Sequence, residues 1–315
     1  MKASFVREHG APEALIYGDM PDPVPGPHDV LIRVRACSMN RVDVYTREGS
    51  HGMRPPLPRI LGRDLAGEVV AVGEHVQGFS PGRRVLALAS SGSYAELAVA
   101  DAADTWPMPD NLTFEEAATF PTVLTTAWHM LICTAHLRLG EEILIMAAGS
   151  GVGCVAIQLA KRSGARVFTT VSSAEKAAKA LALGADVAIN HTEEDFAARV
   201  LELTGGQGVS LVLEHVGAAV WEKCFRSLRM GGRLVTCGVT TGHRVELHLG
   251  QLWTREISLL GTRMKPREDM ATILPVVARG EVHAVVSQVF PLQEAAEAHR
   301  AMEANRFFGK LVLVP

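Results

Sequence analysis

Ile143–Ala160, ILIMAAGSGVGCVAIQLA, is an 18-residue run without a charge. By length alone it qualifies as a membrane-spanning candidate. Its interior, however, carries Gly149, Ser150, Gly151 and Gly153 within five positions, and glycines so clustered break a helix. A buried strand, a tight turn and a second helix use them naturally. The run therefore reads as strand Ile143–Ala147, a glycine turn, and helix Val152–Ser163 stopped by Gly164. In that setting the backbone N–H groups of Gly149, Ser150, Gly151 and Val152 and the positive helix end face an anion such as a pyrophosphate. Ala148, Ser150 and Gly153 fall where the three glycines of G-x-G-x-x-G would stand, so the setting carries more of the reading than the motif does. The bland alternative is a tight turn with no ligand. A nucleophile elbow at Ser150 is the other rival, but G-x-S-x-G needs glycine where Ala148 and Val152 stand.

Downstream of the turn, strands and helices alternate at short intervals. Strand Arg166–Val171 precedes Ser173 as N-cap and helix Ala174–Leu183. Strand Asp186–Ile189 leads to helix Glu193–Leu203, and strand Ser210–Glu214 to helix Ala218–Met230. Arg233–Gly238 and Ile257–Leu260 supply two more strands. This repetition predicts an α/β architecture with a doubly wound, mostly parallel Rossmann sheet. Upstream, Val30–Ala36, Leu65–Val72, Arg84–Ala89 and Tyr94–Val99 alternate or run apolar between Gly- and Pro-marked turns, which predicts a small curved β-domain. PDPVPGP at 21–27 is an extended connection. T-F-E-E at Thr113 opens a helix with a capping box, and a longer apolar helix follows across Val123–Leu137. The end reverts to helix Arg267–Arg279, strand Val282–Phe290, helix Gln293–Ala304 and strand Lys310–Val314.

Composition narrows the function classes. With 315 residues, 48% hydrophobic and 21% charged, the chain is long enough for about two domains and too apolar for disorder. A net charge of −3 removes the electrostatic footprint of a nucleic-acid binder. Cys37, Cys133, Cys154, Cys224 and Cys237 are odd in number and contain no C-x-x-C pair, so neither a disulfide framework nor a cysteine-rich zinc site is expected. MKASFVREHG is charged by its seventh residue and has no apolar h-region, which gives a soluble, cytoplasmic expectation with no membrane partner.

The end of the second parallel strand bears on cofactor choice. NAD binders place Asp or Glu near there for the ribose hydroxyls. Here Val171 is followed by Ser172, Ser173 and, one turn later, Lys176. Two hydroxyls and an ammonium suit a 2′-phosphate, so NADPH is expected rather than NADH. The competing view is that Ser173 only caps the helix and Lys176 is solvated.

Taken with these elements, the phrases ILGRDLAGEVVAVG, GFSPGRRVLAL, GSYAELAV, MAAGSGVGCVAIQLAK and GGRLVTCG resemble the medium-chain dehydrogenase/reductase superfamily, and within it the zinc-independent quinone oxidoreductase branch. The resemblance runs over nearly the whole chain. It implies a GroES-like catalytic domain from 1–122 and 264–315, closing over a cleft on a Rossmann domain at 123–263. It also implies hydride transfer from a nicotinamide in a homodimer or homotetramer.

In zinc members of that superfamily a Cys three residues before an Asp ligates the metal; here that position is Asn40. The G-H-E motif appears as Gly62-Arg63-Asp64, and the third ligand falls near Pro121-Thr122. None of these is a credible zinc donor set, the four-cysteine lobe is missing between Leu88 and Gly92, and the twelve histidines offer no i,i+4 pair. No metal is expected. Without a Lewis acid an alcohol is hard to oxidise, whereas a quinone or an α,β-unsaturated carbonyl (an enone) accepts hydride to give a delocalised oxyanion.

Asn40, Asp43 and Tyr45 match the N-x-x-D-x-Y stretch of the quinone reductases. By that resemblance Asn40 lies beside the nicotinamide, Tyr45 donates to the substrate oxygen, and His51 stands where relatives carry a second Tyr and supplies a proton. Thr126, Val216, Gly238, Thr240, Gly261 and Thr262 are expected to line the cofactor site, and His191 takes the place of a Tyr beside the 2′-phosphate. Each has a plain alternative as core, cap or turn. Two other functions compete: a non-catalytic NADPH-binding sensor of the same fold, and an enoyl-thioester reductase with Arg54, Arg59 and Arg63 at its entrance.

Overall fold

The computed structural model describes residues 1–315. Two compact units emerge: Met1–Val123 together with Pro266–Pro315, and Leu124–Lys265.

The first unit begins with β1 (Lys2–Val6), β2 (Leu15–Asp19), β3 (Asp29–Ser38), α1 (Arg41–Glu48), β4 (Arg59–Ile60), β5 (Asp64–Val72), β6 (Arg84–Leu88), β7 (Leu97–Asp101), β8 (Thr105–Pro107) and α2 (Phe114–Ala118). β3 alternates between buried and more open positions, as a strand with one face on a core must. Of the expected strand at Tyr94–Val99, only the part from Leu97 joins the sheet; Tyr94 is fully buried and Ala95 makes an isolated bridge to Ala3. Thr113 caps α2 through the reciprocal Thr113–Glu116 box that the sequence announced. The helix α1 was not foreseen. Asn40 at its N-cap and Asp43 at its third position form a capping box, so the N-x-x-D spacing is also a helix-start signal.

α3 (Phe120–Trp128) carries the chain into the second unit. The apolar helix expected across Val123–Leu137 stops being α-helical at Trp128 and continues as a π-helical stretch, His129–Thr134. Next come β9 (Glu142–Ile145), α4 (Gly151–Arg162), β10 (Arg166–Val171), α5 (Ala174–Ala182), β11 (Val187–Asn190), α6 (Phe196–Leu203), β12 (Val209–Glu214), α7 (Trp221–Arg226), β13 (Leu228–Thr236), α8 (Leu249–Thr254) and β14 (Ser258–Gly261). The six strands form one parallel sheet in the order β11-β10-β9-β12-β13-β14, the doubly wound order. β12 is buried at every position, as a central strand covered on both faces requires. Leu144, Phe168, Val212, Leu234, Phe196 and Phe225 build the core.

Other helix boundaries shift too: the helix expected from Glu193 starts at Phe196, capped by Asp195. The helix expected over Ala218–Met230 ends at Arg226, because Leu228 already pairs with Val209 in the sheet. Gly231 and Gly232 lie at an irregularity within β13 rather than after a helix, with Gly231 in the left-handed region at φ 68°.

The first unit resumes with α9 (Pro266–Ala278), β15 (Val286–Pro291), α10 (Ala295–Glu303) and β16 (Lys310–Val314). β16 lies antiparallel to β3, completing a sheet ordered β15-β16-β3-β5-β6-β8, with β7 also paired to β3. Ile32, Leu65, Val85, Leu311 and Leu313 belong to its core. The register decides the chemistry: Ser38 faces Val312 across one side of β3 and Asp64 across the other. Continuing the β3–β16 register by two residues sets Asn40 opposite Lys310. No helix of the chain is long and apolar enough to cross a membrane.

Candidate active site

In the second unit the residues singled out from sequence gather, with one exception, at the carboxyl ends of the parallel strands, where ligands of such sheets bind. After β9, Ser150 caps α4, its hydroxyl accepting from the Gly153 N–H at 2.8 Å. Gly151 and Val152 occupy the first helical turn, whose N–H groups have no intrahelical acceptor. A Cβ on Gly153 would stand 2.4 Å from the Ala147 carbonyl oxygen, so this glycine is required by close backbone approach. Gly149 lies in the turn itself. The cradle and the open helix end fit a pyrophosphate.

At the ends of β10 and β11, Ser173 caps α5 by accepting from the Lys176 N–H at 3.2 Å, and Ser172 is exposed beside it. Burial lowers the Lys176 ammonium pKa, with Glu175 opposing. His191 is anchored there by its N–H to the Val171 carbonyl at 3.0 Å. After β12, Val216 and Gly217 donate their N–H groups to Glu214, whose second carboxylate oxygen accepts from Thr236 Oγ1 at 2.8 Å. Gly238 follows β13, and a Cβ there would lie 2.2 Å from the His215 carbonyl oxygen. Thr240 is exposed in the next turn. Gly261 ends β14, and Thr262 bonds Thr134 hydroxyl to hydroxyl at 2.8 Å. Thr126 is the exception, buried within α3.

In the first unit the picture is built from side chains. Asn40 is buried at the α1 N-cap. Its Nδ2 donates to Asp64 Oδ2 at 3.0 Å and its Oδ1 accepts from Lys310 Nζ at 2.7 Å. Lys310 Nζ also pairs with Asp64 Oδ2 at 3.7 Å. Both partners of Lys310 are acceptors, so its nitrogen serves as donor; burial lowers its pKa, with Asp64 and Asp43 opposing. Asp64 further accepts from Thr122 Oγ1 at 2.5 Å. Sequence reasoning missed Lys310 entirely, since nothing local marks it.

Asp43 accepts from the Asn40 N–H at 2.8 Å and from the Tyr94 hydroxyl at 3.2 Å. Burial pushes its carboxyl up to about 7, against the pull of the Asn40 N–H. Beyond Tyr94 lies His299, kept neutral by burial at about 3, with its Nδ1 3.2 Å from Arg47. Tyr45 and His51 stack with ring centroids 4.0 Å apart and 19° between planes. Ser50 donates its one hydroxyl hydrogen to Glu48 at 2.9 Å, so it accepts from His51 Nδ1 at 3.0 Å. His51 holds φ 52°, between Gly49 at 70° and Gly52 at 76°.

The chain matches known proteins along its length. The family described as alcohol dehydrogenase GroES-like domain matches residues 26–110, and that described as zinc-binding dehydrogenase matches 151–279. A quinone oxidoreductase of Pseudomonas aeruginosa is 38% identical, over 98% of this chain and 97% of its own. Among solved structures, one described as an NAD-dependent alcohol dehydrogenase has a TM-score of 0.95 at 38% identity, with both chains covered in full. The Escherichia coli quinone oxidoreductase complexed with NADPH has a TM-score of 0.92 at 30% identity, again over both full chains. A GroES-like unit and a doubly wound unit, each matched in sequence and in shape, leave one assignment: the chain belongs to the medium-chain dehydrogenase/reductase superfamily, in its quinone oxidoreductase-like branch, and is an NAD(P)-dependent oxidoreductase.

Proposed function

We propose that this oxidoreductase uses NADPH and delivers hydride to a quinone or an α,β-unsaturated carbonyl without a catalytic metal. The observation that carries the reading is Lys310 Nζ, 2.7 Å from Asn40 Oδ1 and 3.7 Å from Asp64 Oδ2. Asn40, Asp64 and Thr122 hold positions that zinc relatives give to the metal site, yet here they are spent on one another and on a resident cation. A divalent ion would meet the Lys310 nitrogen, already committed as a donor, and no soft ligand, so these residues do not fit zinc.

The glycine cradle and the open N-terminus of α4 fit the pyrophosphate of a dinucleotide. Ser172, Ser173, Lys176 and His191, with no carboxylate among them, suit a 2′-phosphate. When bound, the reduced nicotinamide supplies the hydride. The protein's own part is alignment and polarity. Lys310 and Asp64 fix which way the Asn40 amide faces, leaving one Nδ2 hydrogen to point at a partner. Tyr45 offers a phenolic donor to the acceptor's oxygen, and His51 is the group from which a proton is given. An assembly of two copies or four is supported by the bare outer edge of β14 and by Leu249 and Trp253 on α8, 66% and 73% exposed.

The deciding experiment follows NADPH oxidation with quinones, enones and crotonyl-CoA, with and without chelator. Turnover of quinone or enone, indifferent to chelator, is expected. Tight NADPH binding with no turnover would make the chain a sensor, and preference for crotonyl-CoA an enoyl-thioester reductase. The relative described as an NAD-dependent alcohol dehydrogenase sets the rival for cofactor choice. Lys176→Ala should weaken NADPH by roughly 5- to 10-fold while leaving NADH within about twofold, on the scale of one charge-assisted contact. Equal effects on both would reject the 2′-phosphate reading.

A further inference from the structure

Ligands of doubly wound sheets bind at the carboxyl edge, but the second unit also carries a cleft of about 460 Å³ at the amino edge. Its volume is that of a small-molecule site. The cleft opens where β9, β10, β12 and β13 begin, with Glu142, Arg166, Ser210 and Arg229 in its wall. An irregular ladder makes the room. Val209 pairs with Leu228 and Leu211 with Arg233, so residues 229–232 bulge between them and Ser210 has no partner in register.

Two donors in this wall are unspent. Ser210 is 3% exposed, yet its hydroxyl engages no group of the protein and is not sealed from solvent. Arg229 is exposed and forms no hydrogen bond or ion pair. The acidic neighbours are neutralised, Glu141 by Arg233 at 2.6 Å and Glu142 by Arg166 at 2.9 Å. One positive charge is left over. Gly140 has open space where a side chain would stand, and Leu139 beside it is an apolar wall, 86% exposed. A guanidinium fork takes two oxygens of a carboxylate, and a nearby hydroxyl donates to one of them.

We propose that the amino-edge cleft is a binding site for a small organic carboxylate, held by Arg229 and Ser210 with its apolar body against Leu139. It shares no residue with the carboxyl edge, so it stands whether or not the glycine turn holds a dinucleotide.

The test titrates benzoate, neutral benzamide and inorganic phosphate onto the full chain, with and without saturating NADPH, followed by ¹H–¹⁵N NMR. Benzoate should shift the backbone signals of Gly140, Ser210 and Arg229 saturably in both states, with a Kd below about 5 mM. Arg229→Gln should weaken benzoate by roughly 5- to 10-fold and Ser210→Ala by about threefold. Benzamide should bind at least roughly fivefold more weakly than benzoate. The absence of a saturable shift at those three residues up to ~50 mM benzoate overturns the proposal. So does benzamide binding as tightly as benzoate, or Arg229→Gln binding within twofold of wild type. Phosphate binding more tightly than benzoate overturns the carboxylate assignment. Arg229 is exposed, so its variant carries the test if thermal melts show that Ser210→Ala fails to fold. A wild type that binds benzoate here but no NADPH would reject the glycine-turn reading and leave this site standing.

Discussion

The carboxyl edge of the parallel sheet and the Asn40–Asp64–Lys310 cluster are built on opposite principles. The first is made of backbone: N–H groups at helix starts, small residues, glycines where chains press together. Its parts are local, each within a few residues of a strand end. The second is made of buried side chains drawn from positions 24 and 270 residues away from Asn40. In the backbone-built edge, Ala148 and Ser150 in place of two fingerprint glycines leave the turn's N–H groups in place. A side-chain-built site has no such latitude, since removing one partner strands the others.

The sharpest way to break that contrast is Lys310→Met. Removing the ammonium leaves Asp64 buried without a counter-charge, and a loss of ~3–5 kcal/mol in unfolding free energy is expected by urea denaturation. A loss below about 1 kcal/mol would mean that the cluster is as tolerant as the edge.

Gly153→Ala probes the other side. In an open helix alanine is favoured by ~1 kcal/mol, but here the new Cβ meets the Ala147 carbonyl oxygen at 2.4 Å. Overpacking against backbone should cost about 1–3 kcal/mol and weaken dinucleotide binding by at least roughly tenfold. A stabilised variant with unchanged affinity would show the cradle to be unnecessary.

The smallest effect is a pH dependence. Asp43 is raised to about 7, so between its unfolded pKa and that value the folded protein keeps a proton that the unfolded chain releases. Its contribution to stability is complete at acid pH and is lost as pH rises through about 7. His215 and His299, lowered by burial to about 4 and about 3, act the other way. As pH falls below about 6.5 the unfolded chain takes up protons that these folded imidazoles refuse, and stability drops. Asp43→Asn removes only the first trend. Unfolding free energies from pH 5 to 8 should therefore show wild type losing ground to the variant as pH rises. A difference that stays constant across that range would contradict a buried, late-ionising carboxyl.

The legibility of the molecule follows the same division. Strand Arg166–Val171 and strand Lys310–Val314 match their expected bounds, and Ser173 and Thr113 cap the helices they were expected to open. These signals act over three or four residues. Errors came where tertiary pairing overrode a local cue: the helix expected to run to Met230 stops at Arg226, because Leu228 had already joined the sheet. The N-x-x-D-x-Y stretch was read for chemistry, and its capping box, equally visible, was not read as a helix start.

What the sequence determined by itself was the alternation of strands and helices, the glycine turn at a strand end, and the lack of soft metal donors at Asn40, Arg63 and Thr122. Those depend on residue type and short spacing, which are local properties. What only the tertiary structure decided was which distant side chains meet. The register of β3 with β5 and β16 put Lys310 against Asn40 and Asp64, and the sheet order set His215 against Ser150. Strand pairing is fixed by the packing of whole faces, so no short stretch of sequence carries it.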